Sequence, residues 1–300
     1  MPYSLDDKLV VGISSRALFD LEAENMIFEE QGVEAYTRYQ IEHENDILQP
    51  GTAFPLVKAL HNLKANGNDM TEIIIMSRNS PETCLRIFKS IEYYGLNISR
   101  AALVSGAAIT PYLEPLKVDL FLSPQEEDIQ DAINANIAAA IICRQPEEID
   151  PDKEISQIRI AFDGDAVIFS DEAEKIYQAE GLEAFAIHER ELAGTPLQAG
   201  PFAKLLKTIS TLQMAFPAGK VPIRTALVTA RNTPAHERAI RTLRAWNVHV
   251  DEAFFLGGVE KTQILRAFGA HIFFDDQEIH TEPASKVVPA ARVPYKDDLK

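Results

Sequence analysis

"RIAFDGDAVIFSDEAE", residues 159 to 174, decides how the chain reads, because the chain contains a second version of it. "LVVGISSRALFDLEAE", residues 9 to 24, lies against it in constant register, with Ala17 facing Val167, Phe19 facing Phe169, Glu22 facing Glu172 and Ala23 facing Ala173. After a slip of one residue, "QGVEAY" (31–36) faces "EGLEAF" (180–185) and "LQPG" (48–51) faces "LQAG" (197–200). Further on, "MSRNSP" (76–81) faces "TARNTP" (229–234), and "VDLFLSPQ" (118–125) faces "AHIFFDDQ" (270–277). Matches that keep order and spacing through both halves describe a duplication of roughly 140 residues, far longer than the unit of a solenoid.

Each copy repeats one string of elements. Short apolar runs suited to buried parallel strands are "KLVVGI", "TEIIIM", "AALV", "VDLFL" and "AAAIIC" in the first copy. The second copy has "IRIAF", "TALV", "AFFL", "HIFF" and, more weakly, "KVVPAARV". Between them lie stretches such as "PETCLRIFKSIEYYG" and "AHERAIRTLRAWN", whose apolar residues recur three and four apart as on a helix face. Strands alternating with helices predict an α/β fold with parallel sheets covered on both faces. A long helical insertion follows the first strand of each copy. The charged, proline-bearing segment 144–156 has no apolar period and is the natural joint, dividing the chain into 1–150 and 151–300.

Composition narrows the function classes. A net charge of −16 leaves no excess of Lys and Arg to neutralise a phosphate backbone, so a nucleic-acid polymer is not an expected partner. The N-terminus lacks an apolar signal core and no run reaches membrane-spanning length, so no membrane is expected and the chain reads as cytoplasmic. Cys84 and Cys143 sit in or beside apolar runs and read as reduced thiols rather than a disulfide. The sequence leaves a homo-oligomer open.

In open α/β sheets ligands bind at the carboxyl ends of the strands, so the residue at each strand end tests for a site. In the second copy these positions hold Asp163 and Asp165, then Thr229, then Asp275 and Asp276, with Lys261 opening the helix before the last of these strands. In the first copy they hold Ile13 and Ser15, Met76, Ser123 and Pro124, with Ile109 in place of the lysine. Taken singly, a D-x-D is a turn, a threonine a helix cap and a lysine a solvated charge. Taken together, in order, at successive strand and helix ends of only one copy, they read as a site.

That set resembles the haloacid dehalogenase superfamily of phosphotransferases. At closer range, "AFDGDAVIFSDEAE", "PIRTALVTAR", "DEAFFLGGVEK", "HIFFDDQ", "VEAYTRYQIEHEN" and "GTAFPLVKAL" are similar to the cytosolic 5′-nucleotidase I family over nearly the whole chain. The resemblance implies two tandem Rossmann-like lobes with helical cap insertions, the first (1–150) degenerate and the second (151–300) catalytic. It implies a Mg²⁺-dependent enzyme that hydrolyses nucleoside 5′-monophosphates, typically AMP. Since the chain starts close to its first strand, the regulatory tail of some relatives is not expected. In the implied roles Asp163 is the nucleophile and Asp165 the proton donor and acceptor. Mg²⁺ is held by Asp163, Asp275 and the carbonyl of Asp165, with Asp276 ligating directly or through water. Thr229 and Lys261 hold the phosphoryl oxygens, helped by backbone N–H groups near Gly164 and Ala230.

His188, Lys204 and Arg231 are candidates for substrate contacts, and Arg38, Tyr39 and His43 for a cap or an interface. The segment "VEAYTRYQIEHEN" is expected to wall the substrate pocket or to form an interface. Two other functions stay in view. One is a phosphatase of the same superfamily acting on another small phosphate ester; the other is a nucleotide-binding regulator without turnover. The intact Asp163/Asp165 pair speaks against the regulator, because a binder needs no proton-transfer acid beside a nucleophile.

Overall fold

The computed structural model describes residues 3–65, 67–143, 149–217 and 220–297. In the N-terminal half the strands are β1 Leu9–Ile13, β2 Lys64–Ala65, β3 Asn68–Asp69, β4 Thr71–Ser77, β5 Arg100–Leu103, β6 Leu120–Ser123 and β7 Ala138–Ile142. In the C-terminal half they are β8 Ile158–Phe162, β9 Ile223–Thr229, β10 Glu252–Phe255, β11 Ile272–Asp275 and β12 Ala290–Arg292. The short hairpin β2–β3 stands apart and has no apolar run to announce it. The other ten strands fall on the ten apolar runs expected from the sequence. Every residue of β1, β4, β6 and β11 is buried, as strands covered on both faces must be.

The ten strands form one sheet in the order β10-β9-β8-β11-β12-β7-β6-β1-β4-β5. Counting only the five strands that each half gives to this sheet, the order read inward from either end is the same: third, second, first, fourth, fifth. All neighbouring pairs are parallel except β12 and β7, which meet antiparallel with Ala291 opposite Ile142. The expectation of separate parallel sheets is therefore corrected to one continuous, mostly parallel sheet. The fifth strand of each half would otherwise be an apolar edge with unpaired backbone groups, and the seam satisfies both edges at once. Because the seam is antiparallel, the carboxyl ends of the strands of the two halves lie on opposite edges of the sheet. One apolar core runs across it, taking in Phe121 from one half and Phe274 from the other.

The insertion after each first strand is helical, as expected. In the first half it is the helices Glu22–Gln31 and Val33–Glu42, broken at Gly32 with φ 84°. In the second it is the helix Glu172–Glu191, broken at Gly181 with φ 83°. A positive φ at this joint is cheap only for glycine, which accounts for the repeated Gly of "QG" and "EG". The second repeated glycine has a different cause. Gly51 lies against the backbone of Phe19, and Gly200 against that of Phe169, where a Cβ would come within 2.2 Å of the Phe169 carbonyl oxygen. The joint expected at 144–156 falls partly outside the described residues, at 144–148; its remainder, 149–156, has no helix or strand. Cys84 and Cys143 are free thiols, the first buried and the second half-buried. Among the described residues no helix is long and apolar enough to cross a membrane.

Candidate active site

The β8 strand ends at Phe162, and the Asp163 N–H still donates to the Phe274 carbonyl oxygen of β11 at 2.8 Å. The chain then makes a wide turn over Gly164–Ile168 in which Asp165 is extended and Ala166 has φ 58°. A left-handed alanine costs about 1 kcal/mol or more, so this turn is held by its surroundings. Gly200 and Phe202 donate backbone hydrogen bonds to the Ile168 and Val167 carbonyls. Gly164 lets β9 approach closely, since a Cβ there would sit 3.2 Å from Thr229 Oγ1. Thr229 ends β9 and is buried, its Oγ1 accepting from the Arg231 N–H at 3.2 Å. Ala230, between them, is exposed.

Lys261 begins the helix Thr262–Phe268 and points into the acids. Its Nζ donates to Asp163 Oδ1 and to Asp275 Oδ2, each at 2.7 Å. Asp275 is fully buried at the end of β11, and its other oxygen accepts from the Gln277 N–H at 2.9 Å. Asp276 turns the same way: Oδ2 accepts from the Tyr295 hydroxyl at 2.5 Å, while Oδ1 is buried without a partner. One oxygen from each of Asp163, Asp275 and Asp276 lies within 4.8 Å of the others. Such an all-oxygen set, with one buried carboxylate oxygen unsatisfied, fits a hard divalent cation such as Mg²⁺.

The electrostatics follow from burial. Burial pushes Asp163 and Asp275 above the ordinary carboxylate range, with Lys261 working against that rise. Asp276 is pushed up to about 8 by burial and by the charge of Asp163, with the Tyr295 hydrogen bond opposing. Burial would lower the Lys261 ammonium, but Asp163 and Asp275 outweigh it and hold the ammonium above its usual value. The cluster therefore favours a neighbouring positive charge at every acid.

Asp165 faces away from this group, toward Arg231. The guanidinium grips it in bidentate fashion, Nε to Oδ2 at 2.8 Å and Nη2 to Oδ1 at 2.6 Å. Arg231 also donates to Glu189, a fully buried residue of the long helix, and Arg238 Nη1 donates to the other oxygen of Glu189 at 2.7 Å. Arg231 thus reaches Asp165 rather than open space. His188 lies beside the network, 3.6 Å from Glu172 and 3.4 Å from Glu189. Lys204 stands apart: it is exposed, and its ion-pair partner is Asp119, at 3.9 Å, in the segment before β6. Glu189, Arg238 and Tyr295 went unread in the sequence. Glu189 is one glutamate among many on its helix, and Tyr295 follows the last strand with no motif around it.

Tyr36, in the segment expected to wall the substrate pocket or to form an interface, lines a cavity of its own half, with Ser15, Met76 and Ser123. By the strand directions, that cavity lies on the opposite edge of the sheet from Asp163.

A mostly parallel α/β sheet carrying an oxygen-only acid cluster at its strand ends defines an α/β protein with a site able to hold a metal ion. Comparison makes the assignment more specific. The family model for 5′-nucleotidases matches residues 1–300, and the chain belongs to that family. It is 37% identical over 295 residues to human (Homo sapiens) cytosolic 5′-nucleotidase 1B, covering 93% of this chain and 47% of that protein. The chain thus spans about half the length of the curated relative. No solved structure matches it significantly. The resemblance seen in the sequence is borne out at the level of the family.

Proposed function

We propose that the chain is a Mg²⁺-dependent 5′-nucleotidase acting in the cytosol, which hydrolyses nucleoside 5′-monophosphates, AMP first among them, to nucleoside and phosphate. The observation that carries the reading is the buried Lys261 bridging Asp163 and Asp275, with Asp276 beside them and Asp165 two residues beyond Asp163. The fold belongs with the haloacid dehalogenase type, as two halves, 1–150 and 151–300, of which the second is catalytic.

In the first step a carboxylate oxygen of Asp163 attacks phosphorus in line with the ribose oxygen. The bond from phosphorus to that oxygen breaks, and Asp165 gives it a proton, leaving an aspartyl-phosphate and the nucleoside. In the second step Asp165 takes a proton from water as the water attacks phosphorus, releasing phosphate and regenerating Asp163. Arg231 holds both oxygens of Asp165 away from the acid cluster, so Asp165 turns out of this grip to serve the leaving oxygen. Lys261 and Thr229 hold the transferring oxygens, with N–H groups near Gly164 and Ala230. Asp163, Asp275 and Asp276 would hold Mg²⁺, which supplies positive charge against the acids and the phosphate. His188, beside Glu172 and Glu189, is a secondary substrate contact, with the exposed Lys204 a more remote one.

The test is phosphate release from a panel of mononucleotides and sugar phosphates, with and without Mg²⁺. Nucleotides should be preferred, and activity should vanish without the ion. Asp163→Asn should lower turnover by about three orders of magnitude or more while the melting temperature stays near that of the parent, since amide for carboxylate changes almost no volume. Faster release from sugar phosphates would replace the substrate assignment. Turnover persisting in Asp163→Asn would overturn the nucleophile.

A further inference from the structure

A cavity of about 570 Å³ opens at the carboxyl ends of β1, β4 and β6, within the size range of small-molecule sites. Its place in the N-terminal half is the place of the acid cluster in the other. Strand register fixes the correspondence, since Gly12 pairs with Ile74 as Phe162 pairs with Leu227. Ile13, Ser14, Ser15 and Arg16 then stand for Asp163, Gly164, Asp165 and Ala166. Likewise Ser77 and Arg78 stand for Ala230 and Arg231, and Ser123 and Pro124 for Asp275 and Asp276.

The exchange removes the acids from the strand ends without emptying the site of polar groups. At these positions and the Lys261/Ile109 pair, the C-terminal half sets four acids against two bases, a net −2, and the N-terminal half has two bases and no acid, a net +2. Glu24 and Asp128 also line the cavity, each paired with an arginine, so its charges balance rather than leaving a buried cluster of unpaired acids. Arg16 is tethered by Nη2 to Glu22 at 2.8 Å, yet its Nε is buried without a hydrogen-bond partner. Arg78 is steadied by Asp128 at 2.7 Å. Serine hydroxyls at 14, 15, 77 and 123 line the same end.

The wall opposite these groups is aromatic. Phe28 and Tyr36 meet edge to face, centroids 5.9 Å apart at 83°. Their counterparts in the other half, Tyr177 and Phe185, meet at 6.4 Å and the same 83°. The half that lost its catalytic acids has kept this ring pair, with the hydroxyl moved from one partner to the other.

We propose that this cavity is a second, non-catalytic site for a phosphate-bearing small molecule with a planar ring, a mononucleotide, held without a metal ion. Its phosphate lies at Arg16 and the strand-end serines, and its ring lies against Phe28 and Tyr36. The choice of a nucleotide rests on the function proposed above; the anion end and the aromatic wall do not. Lacking a nucleophile and a proton-transfer acid, the site binds without turnover.

The experiment is equilibrium dialysis of AMP, adenosine and inorganic phosphate against the full chain in EDTA. AMP should bind saturably, more tightly than either fragment. Arg16→Gln should weaken AMP binding about tenfold, the worth of one charge-assisted hydrogen bond, and Phe28→Ala should weaken it as well. Both variants should keep the parent's melting temperature and its Mg²⁺-dependent phosphate release. Absence of saturable AMP binding in EDTA would overturn the proposal. So would binding untouched by both substitutions, or binding lost in Asp275→Asn, which would put the ligand on the other edge. Adenosine binding as tightly as AMP would remove the phosphate from it. The dialysis arms do not depend on turnover, so loss of phosphate release with AMP binding intact would count against the proposed function alone.

Discussion

Lys261 is the charge on which the acid cluster depends at the scale of single residues. Three buried carboxylates this close repel one another, and the ammonium at 2.7 Å from two of them offsets that repulsion. A divalent cation that binds only the folded chain adds stability by mass action. Addition of Mg²⁺ should therefore raise the melting temperature by several degrees at saturating ion, and by less in Asp275→Asn; equal shifts in the two proteins would put the ion elsewhere. His271 makes a separate prediction, about pH. Its Nδ1 accepts from the Arg159 N–H at 3.0 Å, and burial, followed by the charges of Lys153 and Arg159, pulls its pKa from 6.5 down to about 4. The folded state thus binds this proton less readily than the unfolded chain, so the stability it contributes is complete above pH 6.5 and is lost as pH falls toward 4. Asp163 and Asp276, raised by burial, act in the opposite sense. The difference between parent and His271→Asn therefore isolates the imidazole: urea midpoints at pH 7.5 and 4.5 should fall further apart in the parent than in the variant.

Between residues and the whole molecule, the elements explain why the repeated glycines recur. Gly200 sits where the segment before the helix Ala203–Met214 crosses the turn that carries Asp165, and a Cβ there would meet the Val167 and Phe169 carbonyls at 2.5 and 2.2 Å. Backbone cannot yield as a flexible side chain can. Gly200→Ala should cost about 3 kcal/mol by urea denaturation, at the upper end for an overpacked site. It should also lower turnover, because the displaced turn bears both Asp163 and Asp165. Gly194, with open space around its Cβ position, is the control, and Gly194→Ala should leave both quantities near the parent's. A second link at this scale is Glu189. It ties the long helix to Asp165 through Arg231.

At the scale of the molecule, the antiparallel seam of β12 and β7 joins two similar half-sheets into one. The apolar core does not stop there: Ile142 and Ala291 belong to the same cluster as residues of both halves. Residues 157–300 expressed alone should therefore expose an apolar strand edge and part of a core. Size-exclusion chromatography should show aggregation, and circular dichroism should show a loss of cooperative melting. A monomeric fragment with a sharp transition would mean that the seam is dispensable and the halves fold independently. The seam also sends the carboxyl ends of the two halves to opposite edges, so two sites of common ancestry face different solvent.

The ten main strands, both helical insertions and the acids at 163, 165, 275 and 276 were legible in the chain itself, because strand burial writes itself as apolar runs and duplication supplies an internal comparison. The same comparison marked the N-terminal strand ends as lacking acids. Three things required the fold. Arg231 was legible as a candidate substrate contact, but its bond to Asp165 appears only once the turn at Ala166 carries that acid into reach. Glu189 and Tyr295 acquire partners only through packing, which brings together residues 42 and 19 positions apart that no local pattern relates. The direction of β12 against β7 decided that the cavity lined by Tyr36 lies on the opposite edge of the sheet from Asp163, since apolar runs specify that a strand is buried but carry no sign of which way its neighbour runs.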